Sequence, residues 1–229
     1  MDLAALQTLI GALTNDPSHD RYRVSNPDDI GTELDNVMNE WNVEAGILKD
    51  VVTLTTVDGT QTYNLSTLTG TIIRVERVTH KGLELRKIDK MYLDSMTGHD
   101  WSTDEGTPTH FYIEAEDPDV QQLVLYPIPQ GEDAGANLKI EYLKMHTSMS
   151  ASTDDPFNDN SLVAPYHHGL AYGAASRLLL RDPSPENLQR ASSYQKIALS
   201  VKADVIQVFT ALEKEEPLQL RPVFHPFRS

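Results

Sequence analysis

Apolar positions repeat with a helical period at both ends of the chain and with a period of two in its middle. Leu3, Leu6, Ile10 and Leu13 are spaced 3, 4 and 3, which predicts a one-faced helix. Asn15 to Val24 is polar and carries Pro17, so it reads as a loop. Asn26-Pro27-Asp28-Asp29 combines an Asn cap, a proline at the first helical position and acids in the first turn. A second helix is therefore expected there, with Ile30, Leu34, Val37, Trp41 and Ala45 as its buried stripe and Gly46 at its end.

From Asp50 the alternation is β-like. Val52 to Thr55 is a strand candidate, Asp58-Gly59 a hairpin signal, and Thr62 to Leu65 the expected return strand. Thr71 to His80 turns at Lys81-Gly82 into Leu83 to Ile88, and Asp89 to Met96 can hold one or two helical turns. Asp104 to Pro129 reads as two strands around the acidic turn Glu116-Asp117-Pro118-Asp119, with Pro108 at its entry because proline removes a ladder donor. Asn137 to Leu143 closes the set. About seven short strands between residues 50 and 145 predict a small antiparallel sandwich or barrel.

Thr147 to Asn160 is a polar linker, and helix returns after Pro165 with Leu170, Ala171, Ala174, Ala175, Leu178 and Leu179 on one face. Small residues at 171 to 175 let another helix approach closely. Ser184-Pro185 caps and starts a last helix with apolar positions from Leu188 to Leu212. Running to about residue 215, it is roughly 45 Å long at 1.5 Å per residue, more than one small core covers. Part of its seam, with Tyr194, Val201, Val205, Val208 and Leu212 as candidates, is expected to meet a neighbouring subunit or to form a long antiparallel pair inside the chain. The end, Leu218 to Ser229, holds two prolines that keep it extended. It presents Arg221, Pro222, Phe224, Pro226, Phe227 and Arg228, a set that reads as a docking segment.

The expected fold class is thus α+β. N- and C-terminal segments (1–49 and 161–216) form a helical bundle, a β domain (50–145) is inserted between them, a linker spans 146–160 and an extended tail spans 217–229. The net charge of −15 argues against duplex DNA binding, which needs clustered Lys and Arg against phosphates. The absence of cysteine removes disulfides, thiolate nucleophiles and sulfur-ligated metals. An early acid and no Lys or Arg before Arg21 are wrong for a signal peptide, and no apolar run approaches the roughly 20 residues of a membrane span. The sequence reads as a soluble protein of a reducing compartment.

Candidate chemistry is sparse. His167 and His168 are adjacent, so on a helix they point about 100° apart and do not chelate one ion. Asp154, Asp155 and Asp159 lack the glycine and terminal Glu of a calcium loop. His99, Asp100 and Asp104 beside Trp101 have nothing that fixes an acid–base geometry, and Glu114, Glu116, Asp117 and Asp119 crowd one turn instead of facing across a cleft. No catalytic, metal or cofactor residue is assigned.

The order of features resembles the head-to-tail adaptor (connector) proteins of tailed bacteriophages. The likeness rests on Asn39-Glu40-Trp41, Gln61 to Leu65, Ile72 to Val78, Gly106 to Tyr112, Leu123 to Pro129, Leu138 to Leu143, the Asp-rich segment and Tyr166 to Ala175. It implies a non-enzymatic structural protein in the virion neck, assembled in the host cytoplasm. Such a protein is a homo-oligomeric ring, commonly of twelve copies, between the portal and a downstream tail or nozzle protein. DNA passes through the lumen without specific binding, no membrane is involved, and the C-terminal tail inserts into the portal. A neck or tail-completion protein and a carbohydrate-binding tail module are the alternative readings.

Overall fold

The computed structural model describes residues 1–24, 29–66, 68, 71–97, 101–117, 120–158 and 160–215. It has α1 (Leu3–Thr14), α2 (Asp29–Ala45), β1 (Lys49–Thr55), β2 (Thr62–Asn64), β3 (Ile72–His80), β4 (Leu83–Glu84), β5 (Arg86–Lys87), α3 (Lys90–Thr97), β6 (His110–Asp117), β7 (Val120–Tyr126), β8 (Asn137–Lys144), α4 (His167–Leu180) and α5 (Pro185–Glu215). The chain divides into two compact units. One joins Met1–Ala45 to the residues from Ser148 onward, and the other is Gly46–Thr147. The architecture is α+β, with helices from both ends of the chain in one unit and two small sheets in the other.

The helical unit builds its ends from local chemistry. The Asp2 carboxylate accepts from Ala5 N at 2.9 Å, while Leu3 N and Ala4 N donate to the carbonyls of Asp154 and Ser152. The otherwise orphaned first donors of α1 are thereby satisfied. Asn15 closes the helix in the left-handed region, and buried Asp16 then accepts from the N–H groups of Asp20, Arg21 and Tyr22. Burial raises the Asp16 pKa, but those three donors outweigh it and leave the carboxyl below its ordinary value. The expected cap of α2, Asn26-Pro27-Asp28, lies outside the described residues. From Asp29 on, the helix buries Ile30, Leu34, Val37, Trp41 and Ala45, as the periodicity predicts, and Met38 as well. The Ser184 hydroxyl accepts from Asn187 N at 3.1 Å, the cap expected for α5.

Residues 148–158 group with the helical unit. Asp154 accepts from Ser150 N and Ala151 N, and the segment buries Pro156 and Phe157.

The β unit is a sandwich of two four-stranded sheets, ordered β1-β8-β3-β4 and β2-β7-β6-β5. All pairings between strands are antiparallel except β5 with β6. Tyr63, Leu65, Phe111, Leu123 and Leu125 from the second sheet share one core with Val75, Val78, Leu138, Ile140 and Tyr142 from the first. The expected strand Leu83 to Ile88 is two strands. The chain crosses between sheets at buried Leu85, so β4 pairs in one sheet and β5 in the other. The hairpin expected at Asp58-Gly59 does not form. β1 pairs with β8 and β2 with β7, and this turn joins the two sheets. Lys81-Gly82 does close a two-residue hairpin, with both φ angles positive as a type I′ turn requires. The outer face of the second sheet is covered by Leu93 of α3 and by Trp101, which meets Tyr112 and Tyr126 edge-on.

Candidate interaction surfaces

The helical unit is organised around α4, because its small residues admit two helices at close range. A Cβ added to Gly169 would lie 2.6 Å from Val201 Cγ1 and 2.7 Å from Trp41 Cη2, and one on Gly173 would lie 3.0 Å from Val37 Cγ1. The two glycines are thus where α2 and α5 close on α4. Ser176 adds a hydrogen bond to the Ala191 carbonyl at 3.0 Å, satisfying a hydroxyl that burial would otherwise penalise.

The same packing fixes where the expected seam residues lie. Val201 and Val205 are buried inside the chain, and Tyr194 donates to the Leu13 carbonyl and meets the Tyr172 ring. Val208 is half-buried and Leu212 is exposed. The stretch of α5 from Ala191 to Val205 therefore spends its apolar stripe within the chain, and beyond it the stripe is only partly covered. The tail candidates Arg221, Pro222, Phe224, Pro226, Phe227 and Arg228 lie outside the described residues.

Beside α4 runs a groove that sequence reasoning missed. Val37, Trp41, Gly173 and Ala198 form its floor, and Leu180 and Leu199 stand at its sides, 50% and 49% exposed. Its rim is charged. Lys202 Nζ, only 8% of the residue being exposed, lies 2.7 Å from Glu40 and 2.9 Å from Glu44, while Arg177 pairs with Glu40. Further along, Arg181 bonds Glu33 and Asp29 at 2.6 and 2.7 Å. Burial lowers the Lys202 pKa, but its two carboxylate partners outweigh burial and hold it above the ordinary lysine value. A sequence signal for this network does exist. Asp29, Glu33, Glu40 and Glu44 fall on one helical stripe beside the apolar one.

The clusters that resemble chemistry are structural where the described residues show them. Asp104 accepts from the Tyr126 hydroxyl at 2.9 Å, and its sequence neighbours His99 and Asp100 lie outside the described residues. His167 is buried with Nδ1 3.0 Å from the Met1 amino nitrogen, whereas His168 is exposed beside the Pro165 carbonyl. Glu114 pairs with Lys90 at 2.7 Å, and Asp119 and Asp159 lie outside the described residues. Among the described residues no group of three metal-ligating side chains gathers, and no helix is long and apolar enough to cross a membrane.

A buried polar knot at one end of the sandwich also went unread in the sequence. Asp133 takes Lys81 Nζ and the Thr107 hydroxyl at 2.7 Å each, and its carbonyl accepts from Thr56 Oγ1 at 2.5 Å. The Lys81 ammonium, then the Thr107 hydroxyl, hold its carboxyl below the usual range against burial. Every partner comes from a different loop, so no local spacing announces the knot.

A model of the SU10 adaptor protein family matches residues 1–210. The chain belongs to that family. No match was found among curated proteins. The matched span takes in both units and nearly all of α5, including Gly169, Trp41 and the groove that Trp41 and Gly173 line. It stops before the candidate docking tail.

Proposed function

We propose that this SU10-family adaptor joins the portal vertex of a tailed bacteriophage capsid to its tail. It acts as a ring, expected at twelve copies, with DNA passing through the lumen. The observation that carries the reading is the family match across residues 1–210. The polar clusters the structure describes hold elements of the chain together, as this reading asks of them. Twelve copies at −15 each would bring about −180 formal charges, so a lumen lined by these acids repels phosphate at every contact. Residues 217–229 dock into the portal in this reading, through Phe224 and Phe227 flanked by Arg221 and Arg228 on an otherwise acidic chain. The place of action is the virion neck, reached after assembly in the host cytoplasm, with a downstream tail or nozzle protein bound on the opposite side of the ring.

Electron microscopy of the protein mixed with the portal ring of its own virus tests this directly. A collar of density stacked on the portal is expected, and deletion of 217–229 should abolish co-sedimentation. Portal rings that stay bare with the intact chain would overturn the proposal, and unchanged binding by the truncated chain would remove the tail's role.

A further inference from the structure

Two features of the helical unit leave apolar surface partly open. α5 has 31 residues against 14 in α4, or about 46 and 21 Å at 1.5 Å per residue. Val201 already faces Gly169, near the start of α4, so the turns of α5 after Val205 run past the helix they pair with. There Val208, Phe209 and Leu212 continue the stripe of Val201 and Val205 at helical spacing, with Leu212 43% exposed. Asp204 and Gln207 lie off this stripe and are exposed, so the helix stays amphipathic along these turns. The second feature is the groove between Leu180 and Leu199, with Val37, Trp41, Gly173 and Ala198 on its floor.

We infer that the overhanging end of α5 in one copy seats in the Leu180–Leu199 groove of the next. The inference rests on the ring reading above and gives that ring its contact surfaces. A copy does not satisfy itself this way. Leu199 and Leu212 stand on the same continuous helix, 13 positions apart, or about 20 Å along the axis. The end of α5 therefore has no path back to a groove that α5 itself walls. Area limits what one such contact does alone. Leu212 is 43% exposed and Val208 and Phe209 are already half-buried, so the overhang offers a partner on the order of 200 Å². The total falls short of the roughly 1,200–2,000 Å² of a stable specific pair. One such contact does not hold a dimer. In a ring every copy makes two of them, once through its helix end and once through its groove, and head-to-tail contacts of this type close into rings when their rotation allows.

The chain has no cysteine, which makes a pair of engineered ones a clean reporter. Leu199→Cys with Leu212→Cys is mixed with the portal ring and oxidised. Both positions are exposed, and circular dichroism checks the fold. A disulfide needs Cα atoms within about 7 Å, so no bond forms within one helix. The expected result is a ladder of linked multimers on a non-reducing gel, absent from either single variant, and reproduced by Leu180→Cys with Leu212→Cys on the opposite wall. Rings visible by microscopy without a ladder from either pair would overturn the docking mode while leaving the ring intact. If the unmodified chain forms no ring on the portal, the ring reading falls and this inference falls with it. A Leu212→Cys crosslink to a different protein alone also overturns it.

Discussion

Gly169 lies so close to Trp41 that a single added methyl would sit 2.7 Å from the indole Cη2. Real Cβ atoms do not approach so near, and Val201 closes the other side at 2.6 Å. Gly169→Ala should therefore destabilise the helical unit by about 1–3 kcal/mol, the usual cost of overpacking a filled core. Gly173→Ala, whose Cβ would meet Val37 at 3.0 Å, should cost less. Urea denaturation of both variants checks the order, and an unchanged Gly169→Ala midpoint would contradict the packing described.

Val205→Asp and Leu212→Asp should separate folding from assembly. Val205 is 1% exposed, so an aspartate there buries an unpaired carboxylate and should cost about 3 kcal/mol or more. Leu212 is open, so its variant should melt like the parent yet fail to assemble on the portal. Thermal melts and sedimentation velocity provide the two readouts. A Val205→Asp monomer of parental stability would return that residue to the subunit seam.

Lys202→Met tests the charged rim. The substitution keeps most of the stem packing but leaves Glu40 and Glu44 without their shared cation. Because both carboxylates are more than a third exposed, solvent softens the loss, and about 1–2 kcal/mol is expected. The folded lysine value is raised, so its contribution is fully present below the unfolded value of about 10.4 and is lost as pH rises through the folded one. The stability gap between parent and variant should stay level from about pH 6 to 9, and close only in strong alkali.

Asp133→Asn probes the polar knot with the opposite pH sense. At neutral pH the variant should lose about 1–2 kcal/mol, since the amide replaces a carboxylate held by Lys81 and Thr107. The folded carboxyl value is depressed, so the stabilisation is present above the unfolded value of about 3.9 and disappears as pH falls through the folded value. Melting curves from neutral pH downward should converge for the two proteins in acid. A constant offset would show that the ionised form of Asp133 contributes nothing.

Much of the architecture was legible because it is written in local periodicity. The stripe from Ile30 to Ala45, the Ser184 cap, the Lys81-Gly82 turn and the strands around Phe111 and Leu123 each depend on residues within a few positions of one another. Partner choice is a different kind of information. Asp58-Gly59 has hairpin chemistry, yet β1 prefers β8 and β2 prefers β7, because burying both inner faces in one core outweighs a local turn preference. Leu85 divides one apparent strand for the same reason. The apolar repeat of α5 likewise announced a buried stripe without saying what would cover it.

By itself the sequence determined the α+β class, the two helical ends around a β insert, the length of α5 and the acidic balance, all of which follow from spacing and composition. Only the tertiary structure decided that Trp41 meets Gly169, that Val201 and Val205 are spent within the chain, and that Asp133 ties Lys81, Thr107 and Thr56 together. The physical reason is separation along the chain. Periodicity fixes which face of an element is apolar, whereas the identity of the surface that covers it depends on how distant elements pack against one another.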